Sequence, residues 1–288
     1  MQKSKIIEFE SLGTHWWITI LDKADYSISL EEKLIKTARV FETRYTRFQD
    51  SSLVGMLNKN KNLQKPSSEF RRILTASLEY FDSTEGIFNI TVGSELEKIG
   101  YGVGIDHRSK VSEDPKKDIL ITEDEVRISN TTRIDLGGIG KGWLIDKLSG
   151  YLRNNIKRGF IVNGGGDMYI EANEPISIAL EHPFNPEEFI GTVDVNGGFA
   201  SSSTVKRSWR QNNIKRNHIV NTHHNEAEFV ASYIKAQSCV DADVMATVLL
   251  LASKDLRDIL TLRYKLQYLL LRPDLSYISS ENFGARLF

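Results

Sequence analysis

The chain is poor in cysteine, in net charge and in long apolar runs, and each shortage excludes a class of protein. The single cysteine, Cys239, rules out an internal disulfide framework and fits a reducing compartment. Because 37 basic residues nearly balance 38 acidic ones, there is no basic field of the kind that attracts nucleic acid. The longest clear apolar run, residues 248–252, is far too short to span a membrane.

The N-terminal segment carries no targeting signal that we can identify. Residues 1–10 are charged and contain neither an apolar signal core nor a lipid-attachment cysteine, so we expect a soluble, cytoplasmic protein. A chain of 288 residues can bury a substantial core and fits one large domain or two intimate lobes. No repeat, low-complexity tract or clear linker divides it.

Hydrophobic spacing predicts both helices and strands along the chain. The predicted helices are residues 30–47, 53–57, 67–81, 142–152, 241–253 and 256–263. The predicted strands are a hairpin or two short strands at 6–21 broken at 13–14, a strand or extended segment at 88–92, a pair within 119–134, and single strands at 159–162, 176–180, 190–195, 218–220 and 266–271. Because these elements mix without strict βαβ alternation, their order predicts an α+β fold.

The most distinctive segment is residues 135–142, Asp-Leu-Gly-Gly-Ile-Gly-Lys-Gly, which leads into the apolar spacing of a helix. Such glycines allow close backbone approach, and a helix start with Lys141 beside it suits phosphate. The pattern therefore predicts a site for a phosphate-bearing cofactor, with a tight structural turn as the alternative. It is not a P-loop, because Gly142 replaces the required hydroxyl, and its G-x-G-x-G spacing is too short for a dinucleotide fingerprint. We interpret the second glycine run, residues 163–167, as a turn that supports the site rather than as a direct ligand.

A possible metal-binding pair follows in the predicted helix at 241–253. Asp243 and Thr247 are four residues apart and would share one face of that helix. A carboxylate and a hydroxyl are hard oxygen ligands of the kind that Mg²⁺ prefers. The structural alternative is an acidic residue favoured by the helix dipole and a threonine bonded back to a carbonyl. We expect Asp241 to cap the helix, which leaves Asp243 free.

Taken in order, these segments resemble the motifs of the ApbE family, the FAD:protein FMN transferases. Besides the two glycine runs and the Ala-Asp-x-x-Ala-Thr of residues 242–247, further segments agree with the family pattern: Leu12-Gly13-Thr14, Arg47-Phe48-Gln49-Asp50-Ser51-Ser52-Leu53 ending at Leu57-Asn58, Phe88-Asn89-Ile90-Thr91-Val92-Gly93, and Ala200-Ser201-Ser202-Ser203. The similarity extends from about residue 10 to residue 285. Ordered motifs over this length are far more specific than any one of them.

The resemblance implies a fold and a reaction. The fold would be α+β and bilobed, with mixed or antiparallel sheets flanked by helices and a flavin cleft between the lobes, and residues 1–288 would form a single transferase domain. FAD would be the substrate, with Mg²⁺ on its pyrophosphate. Such enzymes transfer FMN to a Thr or Ser hydroxyl of a target protein through a phosphoester bond and release AMP. Since this chain has no clear flavinylation motif of its own, we expect the acceptor to be another protein.

The resemblance also implies roles for individual residues. The metal ligands would be the side chains of Asp243 and Thr247 and the backbone carbonyl of Gly138. The catalytic residues would be His218 as general base, Lys141 at the phosphates and Asp243 through the metal. The residues implied to contact FAD are Leu12, Phe48, Ile87, Phe88, Asn89, Asp135, Lys141 and Ile219.

The chain departs from the family pattern at several positions. Asn89 stands where the family has Asp, Asn221-Thr222 where it has Asp-Pro, Leu12 where it has Met, and Phe48 where it has Tyr. Two alternatives therefore stay open beside the transferase. One is an FAD pyrophosphatase that gives FMN and AMP, and the other is a non-catalytic member that only binds FAD.

Overall fold

The computed structural model describes residues 4–98, 100, 109–205, 208–211, 214–217 and 228–288, with only the backbone described between 208 and 217. Within these ranges the helices are α1 (Ile28–Tyr45), α2 (Leu53–Asn60), α3 (Ser68–Ser83), α4 (Gly93–Lys98), α5 (Pro115–Asp118), α6 (Gly140–Arg153), α7 (Cys239–Leu251) and α8 (Lys254–Tyr264). No helix of this described part is both long and apolar enough to cross a membrane.

The strands of the described residues alternate with these helices irregularly. In chain order they are β1 (Lys5–Ser11), β2 (Thr14–Ile20), β3 (Asn62–Gln64), β4 (Ile119–Ile121), β5 (Glu125–Ile128), β6 (Phe160–Gly164), β7 (Asp167–Glu171), β8 (Ile176–Glu181), β9 (Phe189–Val195), β10 (Gly197–Ser203), β11 (Ser208–Gln211), β12 (Ile214–Asn217), β13 (Ala231–Ala236), β14 (Gln267–Leu271), β15 (Tyr277–Ser279) and β16 (Arg286–Leu287). All strand pairings within the sheets are antiparallel, so the predicted α+β fold is confirmed.

The chain divides into two compact units. The first consists of Met1–Glu42, Ile139–Lys206 and Ala227–Phe288, and the second of Thr43–Gly138 and Arg207–Glu226. The first unit is built on an eight-stranded sheet with the strand order β1-β2-β6-β7-β10-β13-β14-β15. Helices α6 and α7 pack on this sheet and on each other. A cluster of buried side chains, which includes Ile170, Leu180 and Tyr233, joins the large sheet to the three-stranded sheet β16-β9-β8.

The second unit is smaller and contains the three-stranded sheet β3-β5-β4 with helices α2 and α3. Its buried side chains include Phe70, Ile73 and Leu74 on α3, which has the apolar spacing that predicted this helix. The hairpin β11–β12 also belongs to this unit.

Serine side chains fix the start of several helices. Ser52, Ser67 and Ser253 each accept a hydrogen bond from a backbone N–H in the first turn of α2, α3 and α8, which satisfies a donor that the helix itself cannot. The cap of α7 is Ser238, which accepts from the backbone N–H of Asp241. The prediction that Asp241 caps this helix is therefore wrong. The Ser238 hydroxyl, three residues earlier, already occupies the capping position, and the Asp241 carboxylate accepts a hydrogen bond from that hydroxyl.

Most predicted elements are present, with ends displaced by a few residues. The N-terminal hairpin turns at Leu12 and Gly13, whose φ angles of 54° and 67° suit the tight turn between antiparallel strands. Of the two forms predicted for 88–92, the strand is not present, since only Val92 forms an isolated bridge there. Its backbone turns because the Asn89 side chain accepts a hydrogen bond from the N–H of Thr91 at 2.9 Å. The strand predicted at 218–220 lies outside the described residues.

Candidate functional site

The glycine-rich run ends in the first turn of α6, where Gly142 of the first unit lies against α7. A Cβ atom on Gly142 would lie 2.6 Å from the Cα of Val240 and 2.9 Å from the Cβ of Asp243, so only glycine permits this approach. The backbone N–H of Gly142 donates to the Asp243 carboxylate at 2.8 Å. One N–H at the start of α6, which the sequence predicted to face phosphate, is thus engaged by a side chain of α7.

Asp243 is buried and contacts the first turn of α6 through both carboxylate oxygens. One accepts from Gly142, and the other lies 3.4 Å from the ammonium of Lys141. The structure therefore brings together two residues that are 102 positions apart and that the resemblance placed in one catalytic site. The contact places a positive charge beside the predicted metal ligand.

Thr247 lies one turn along α7 from Asp243, as the sequence predicted. Its hydroxyl oxygen is 3.2 Å from that of Ser202 on β10, and the side chain is half-buried while its neighbours on α7 are buried. Two hydroxyl oxygens and a carboxylate near one helix face form a hard-oxygen donor set, which suits Mg²⁺ chemically. Among the described residues, no group of three or more His, Cys, Asp or Glu side chains is placed to hold a metal.

The second glycine run is a turn, as interpreted from the sequence. It joins β6 to β7, with Gly165 and Gly166 at positive φ and the side chain of Asn163 accepting from the Gly166 N–H at 2.9 Å. The turn also delivers Asp167, which is buried and forms an ion pair with Lys141. This contact was not predicted from the sequence. The available signal was that one glycine run contains Lys141 and the next one ends in an acidic residue, Asp167.

Asp146 connects the two helices of the site from the side of α6. Its carboxylate oxygens accept from the backbone N–H groups of Cys239 at 2.8 Å and Val240 at 2.9 Å. Burial raises the pKa of the Asp146 carboxyl to about 6, although these hydrogen bonds oppose the rise. Cys239 itself is buried at the start of α7, and burial raises the pKa of its thiol well above the usual value. This cysteine therefore serves as a buried packing residue at the start of α7.

In the second unit, the Asp135 carboxylate is engaged by a backbone hydrogen bond and an ion pair. One carboxylate oxygen accepts from the Gly137 N–H at 2.7 Å, and the other pairs with the guanidinium of Arg47. Arg47 also approaches Glu97 at 3.6 Å, and Glu97 pairs with Arg133 at 2.8 Å. Arg47 lies within one of the motifs that resemble the family pattern, but no role was predicted for it. Burial of the Arg47 and Glu97 side chains, each 4% exposed, makes the pairing a structural element of this unit.

The predicted flavin-contacting residues lie in different environments. The Phe48 ring is exposed and carries the Arg47 guanidinium 4.5 Å from its centroid. Phe88 is buried with its ring edge-on to Tyr80, and a Cβ on Gly138 would lie 3.3 Å from that ring. Ile87 is half-buried, whereas Leu12 belongs to the hairpin turn of the first unit. His218 and Ile219 lie outside the described residues, as do Asn221 and Thr222.

Asn89 is buried, and its side-chain amide is used by neighbouring backbone and side-chain groups. Its oxygen accepts from both the N–H and the hydroxyl of Thr91, and its nitrogen donates to the carbonyl of Ser112 at 2.9 Å. A carboxylate could not donate this last bond. The departure from the family's Asp therefore has a structural use in this chain.

Comparison with known proteins identifies the architecture. The ApbE protein of Thermotoga maritima superposes with a TM-score of 0.85 at 20% identity, covering 98% of each chain. The flavin transferase ApbE of Vibrio cholerae superposes with a TM-score of 0.80 at 17% identity, covering 98% of this chain and 99% of that one. The chain thus has the fold of the flavin transferases.

The sequence comparison defines the family. The model of the ApbE family matches residues 12–270, so the chain belongs to the ApbE family. The FAD:protein FMN transferase of Haemophilus influenzae is 21% identical over 320 aligned positions, which cover 98% of this chain and 91% of that protein. The resemblance drawn from the motifs is confirmed, and this relative is an enzyme of the class that the resemblance implied.

Proposed function

We propose that this chain is a Mg²⁺-dependent FAD:protein FMN transferase that acts on a Thr or Ser hydroxyl of a separate acceptor protein. The observation that carries the proposal is the contact of Lys141, at the start of α6, with Asp243, one turn before Thr247 on α7. This contact joins a phosphate-binding group to hard oxygen donors within a chain of the ApbE family. We propose that residues 1–288 act as one transferase domain in the cytoplasm.

The proposed reaction is a phosphoryl-type transfer. The acceptor hydroxyl oxygen attacks the phosphorus of the FMN half of FAD, and a phosphoester bond forms. The bond from that phosphorus to the bridging oxygen breaks, and AMP leaves with the electron pair. The hydroxyl proton passes to a general base, for which we propose His218 because a neutral imidazole suits this role near pH 7. The assignment of His218 rests on its motif.

The charged residues of the site would stabilise the phosphates. We propose that Lys141 contacts the pyrophosphate, and that Asp243, Thr247 and the Gly138 carbonyl hold Mg²⁺. A bound Mg²⁺ would neutralise charge that develops on the pyrophosphate oxygens. The hard-oxygen chemistry of Asp243 and Thr247 supports this assignment, as does the hydroxyl of Ser202 beside Thr247.

The remaining proposed contacts concern the flavin and adenine of FAD. An exposed aromatic ring at Phe48 is suited to stacking against a flat ring system. Since the side chains of Phe88 and Asn89 are buried, we propose that the segment from Ile87 to Asn89 contributes through its backbone. The other proposed contacts are Leu12, Asp135 and Ile219.

The test is intact-mass spectrometry of an acceptor fragment that carries the family's target motif. The fragment is incubated with the protein, FAD and Mg²⁺, with EDTA in a parallel sample, while AMP and free FMN are followed. We expect the fragment to gain the mass of FMN less water, and we expect EDTA to abolish the gain. FMN and AMP without an adduct would instead indicate a pyrophosphatase, and bound but intact FAD would indicate a binding protein.

A further inference from the structure

The ammonium of Lys141 is shared unequally between two buried carboxylates of the first unit. It pairs directly with Asp167, whereas the nearest oxygen of Asp243 lies 3.4 Å away. Charge-assisted hydrogen bonds are usually about 2.7–2.9 Å long, so Asp243 is the weaker partner. Lys141 is thus anchored by a residue outside the proposed metal site.

We infer that Asp167 is a positioning residue, which holds the Lys141 ammonium and thereby keeps Asp243 available to a divalent cation. The inference rests on the proposed function, because it takes Asp243 as a ligand of Mg²⁺. It assigns to Asp167 no contact with the flavin or with the metal.

The surroundings of Asp167 make it a fixed anchor. It is the first residue of β7, opposite Gly164 across the turn from β6, and it is 2% exposed. Its second carboxylate oxygen accepts from the backbone N–H of Ser201 at 3.2 Å. Lysine, by contrast, carries its charge on a flexible four-carbon stem. The carboxylate therefore determines where the ammonium lies.

Strand β10 links this anchor to the proposed metal ligands. Ser201 donates its backbone N–H to Asp167, and the next residue, Ser202, places its hydroxyl 3.2 Å from that of Thr247. The hydrogen-bond partner of Asp167 and a neighbour of the α7 donor set are thus consecutive residues of one strand. Any displacement of Asp167 would change the position of the ammonium relative to Asp243.

The consequence is a competition that Asp167 prevents. An ammonium and a divalent cation that share one carboxylate repel each other, and burial strengthens the repulsion. If the side chain of Asp167 is made neutral, Asp243 is the other carboxylate that the described residues place beside Lys141. Lys141 would then compete with Mg²⁺ for Asp243. Removal of the Lys141 ammonium should relieve this competition.

The experiment is a double-substitution cycle on the full-length, flavin-free protein, with Mg²⁺ titrated by calorimetry. Asp167→Asn removes the charge and keeps an oxygen for the Ser201 N–H, while Lys141→Met removes the ammonium. We expect Asp167→Asn to weaken Mg²⁺ binding about tenfold in the parent, and by less than about threefold when Lys141→Met is also present.

Asp22→Asn is the matched control. Asp22 is also buried, pairs with Arg158 at 2.7 Å through one oxygen, and accepts from the Ala24 N–H at 3.0 Å through the other. We expect it to leave the Mg²⁺ affinity within about twofold, since loss of an ion pair elsewhere does not move Lys141. Thermal melting of each variant checks that all of them fold.

The inference would be overturned if Asp167→Asn weakened Mg²⁺ binding equally in the parent and in Lys141→Met. Asp167 would then act on Mg²⁺ through its own charge and not through Lys141. An absence of Mg²⁺ binding in the parent would overturn it together with the proposed metal site. Flavin transfer is assayed separately on the same proteins. Mg²⁺ binding with the expected cycle but no transfer would support the inference while contradicting the proposed activity.

Discussion

The carboxylate of Asp146 on α6 accepts a hydrogen bond from the backbone N–H of Val240 on α7 at 2.9 Å. It accepts a second from Cys239 at 2.8 Å, so one side chain satisfies two donors at the start of α7. These bonds lie on the same pair of helices as the contacts of Lys141 and Gly142 with Asp243. Asp146 therefore helps to hold together the two helices that carry the proposed phosphate and metal groups.

Asp146 should make stability depend on pH in an unusual direction for a carboxylate. Burial raises its pKa to about 6 in the folded protein from a usual value of 3.8, so the folded state binds the proton more tightly than the unfolded state. The stabilisation from this group is fully present below about pH 4 and is lost as pH rises through about 6. The difference amounts to at most about 3 kcal/mol.

The measurement is urea unfolding of the parent and of Asp146→Asn at intervals between pH 4 and pH 7. We expect the parent to lose stability relative to the variant across this range, because only the parent must ionise a buried carboxyl. Parallel pH profiles would contradict the assignment of the raised pKa to Asp146.

Gly142→Ala should destabilise the protein, because the new methyl group would meet the backbone of α7 at Cys239 and Val240. We expect a loss of about 1–3 kcal/mol in the free energy of unfolding, measured with urea. Gly150→Ala on the same helix is the control, since no atom lies within 4 Å of its Cβ position. It should raise stability by about 0.5–1 kcal/mol through helix propensity. Equal effects of the two substitutions would show that the α6–α7 approach is not as close as described.

The apolar spacing of the helices was the part of the fold that the sequence predicted best. The apolar faces of α1 and α3 follow the 3.6-residue period, and Ser52 and Ser67 cap the starts of α2 and α3. Such signals are local, since they depend on neighbouring residues alone. The motifs also placed Lys141 and Asp243 near each other, and the structure has them 3.4 Å apart, because ordered motifs carry information about distant contacts.

Strand β10 and the Asp167 contact could not be predicted in this way. The sequence of β10, Gly-Gly-Phe-Ala-Ser-Ser-Ser, resembles a loop, yet it is a central strand. A Cβ on Gly198 would lie 2.2 Å from the carbonyl oxygen of Ser238, so its glycine serves close packing against the start of α7. The pairing of Asp167 with Lys141 likewise depends on the β6–β7 turn, which brings a distant acidic residue to α6.

Asn89→Asp, which restores the family's residue, should destabilise this chain. A carboxylate cannot donate to the Ser112 carbonyl, and two oxygens would then face each other at a buried position. We expect a loss of at least about 2 kcal/mol at pH 7 by urea unfolding. Asn155→Asp is the control, because Asn155 donates to the Tyr151 carbonyl at an exposed site. An unchanged stability of Asn89→Asp would mean that the Ser112 contact contributes little.

Arg47→Met should destabilise the second unit by about 3–5 kcal/mol, because it leaves the buried carboxylates of Asp135 and Glu97 with less compensation. The measurement is thermal unfolding followed by circular dichroism. Arg127→Met, which breaks an exposed pair with Glu125, should cost no more than about 1 kcal/mol. If both substitutions cost the same, the buried network would not stabilise this unit.

Asp243→Asn tests the proposed metal site most directly. The variant keeps a side-chain oxygen that can accept from the Gly142 N–H, so the α6–α7 junction should survive. The negative charge that would bind Mg²⁺ is lost, and we expect FMN transfer to fall at least about 100-fold at fixed Mg²⁺. Asp241→Asn on the same helix should have little effect on transfer, because the Asp241 carboxylate contacts the cap residue Ser238. Full activity of Asp243→Asn, with an unchanged response to Mg²⁺, would remove Asp243 from the metal site and leave the role of Mg²⁺ to other oxygen donors.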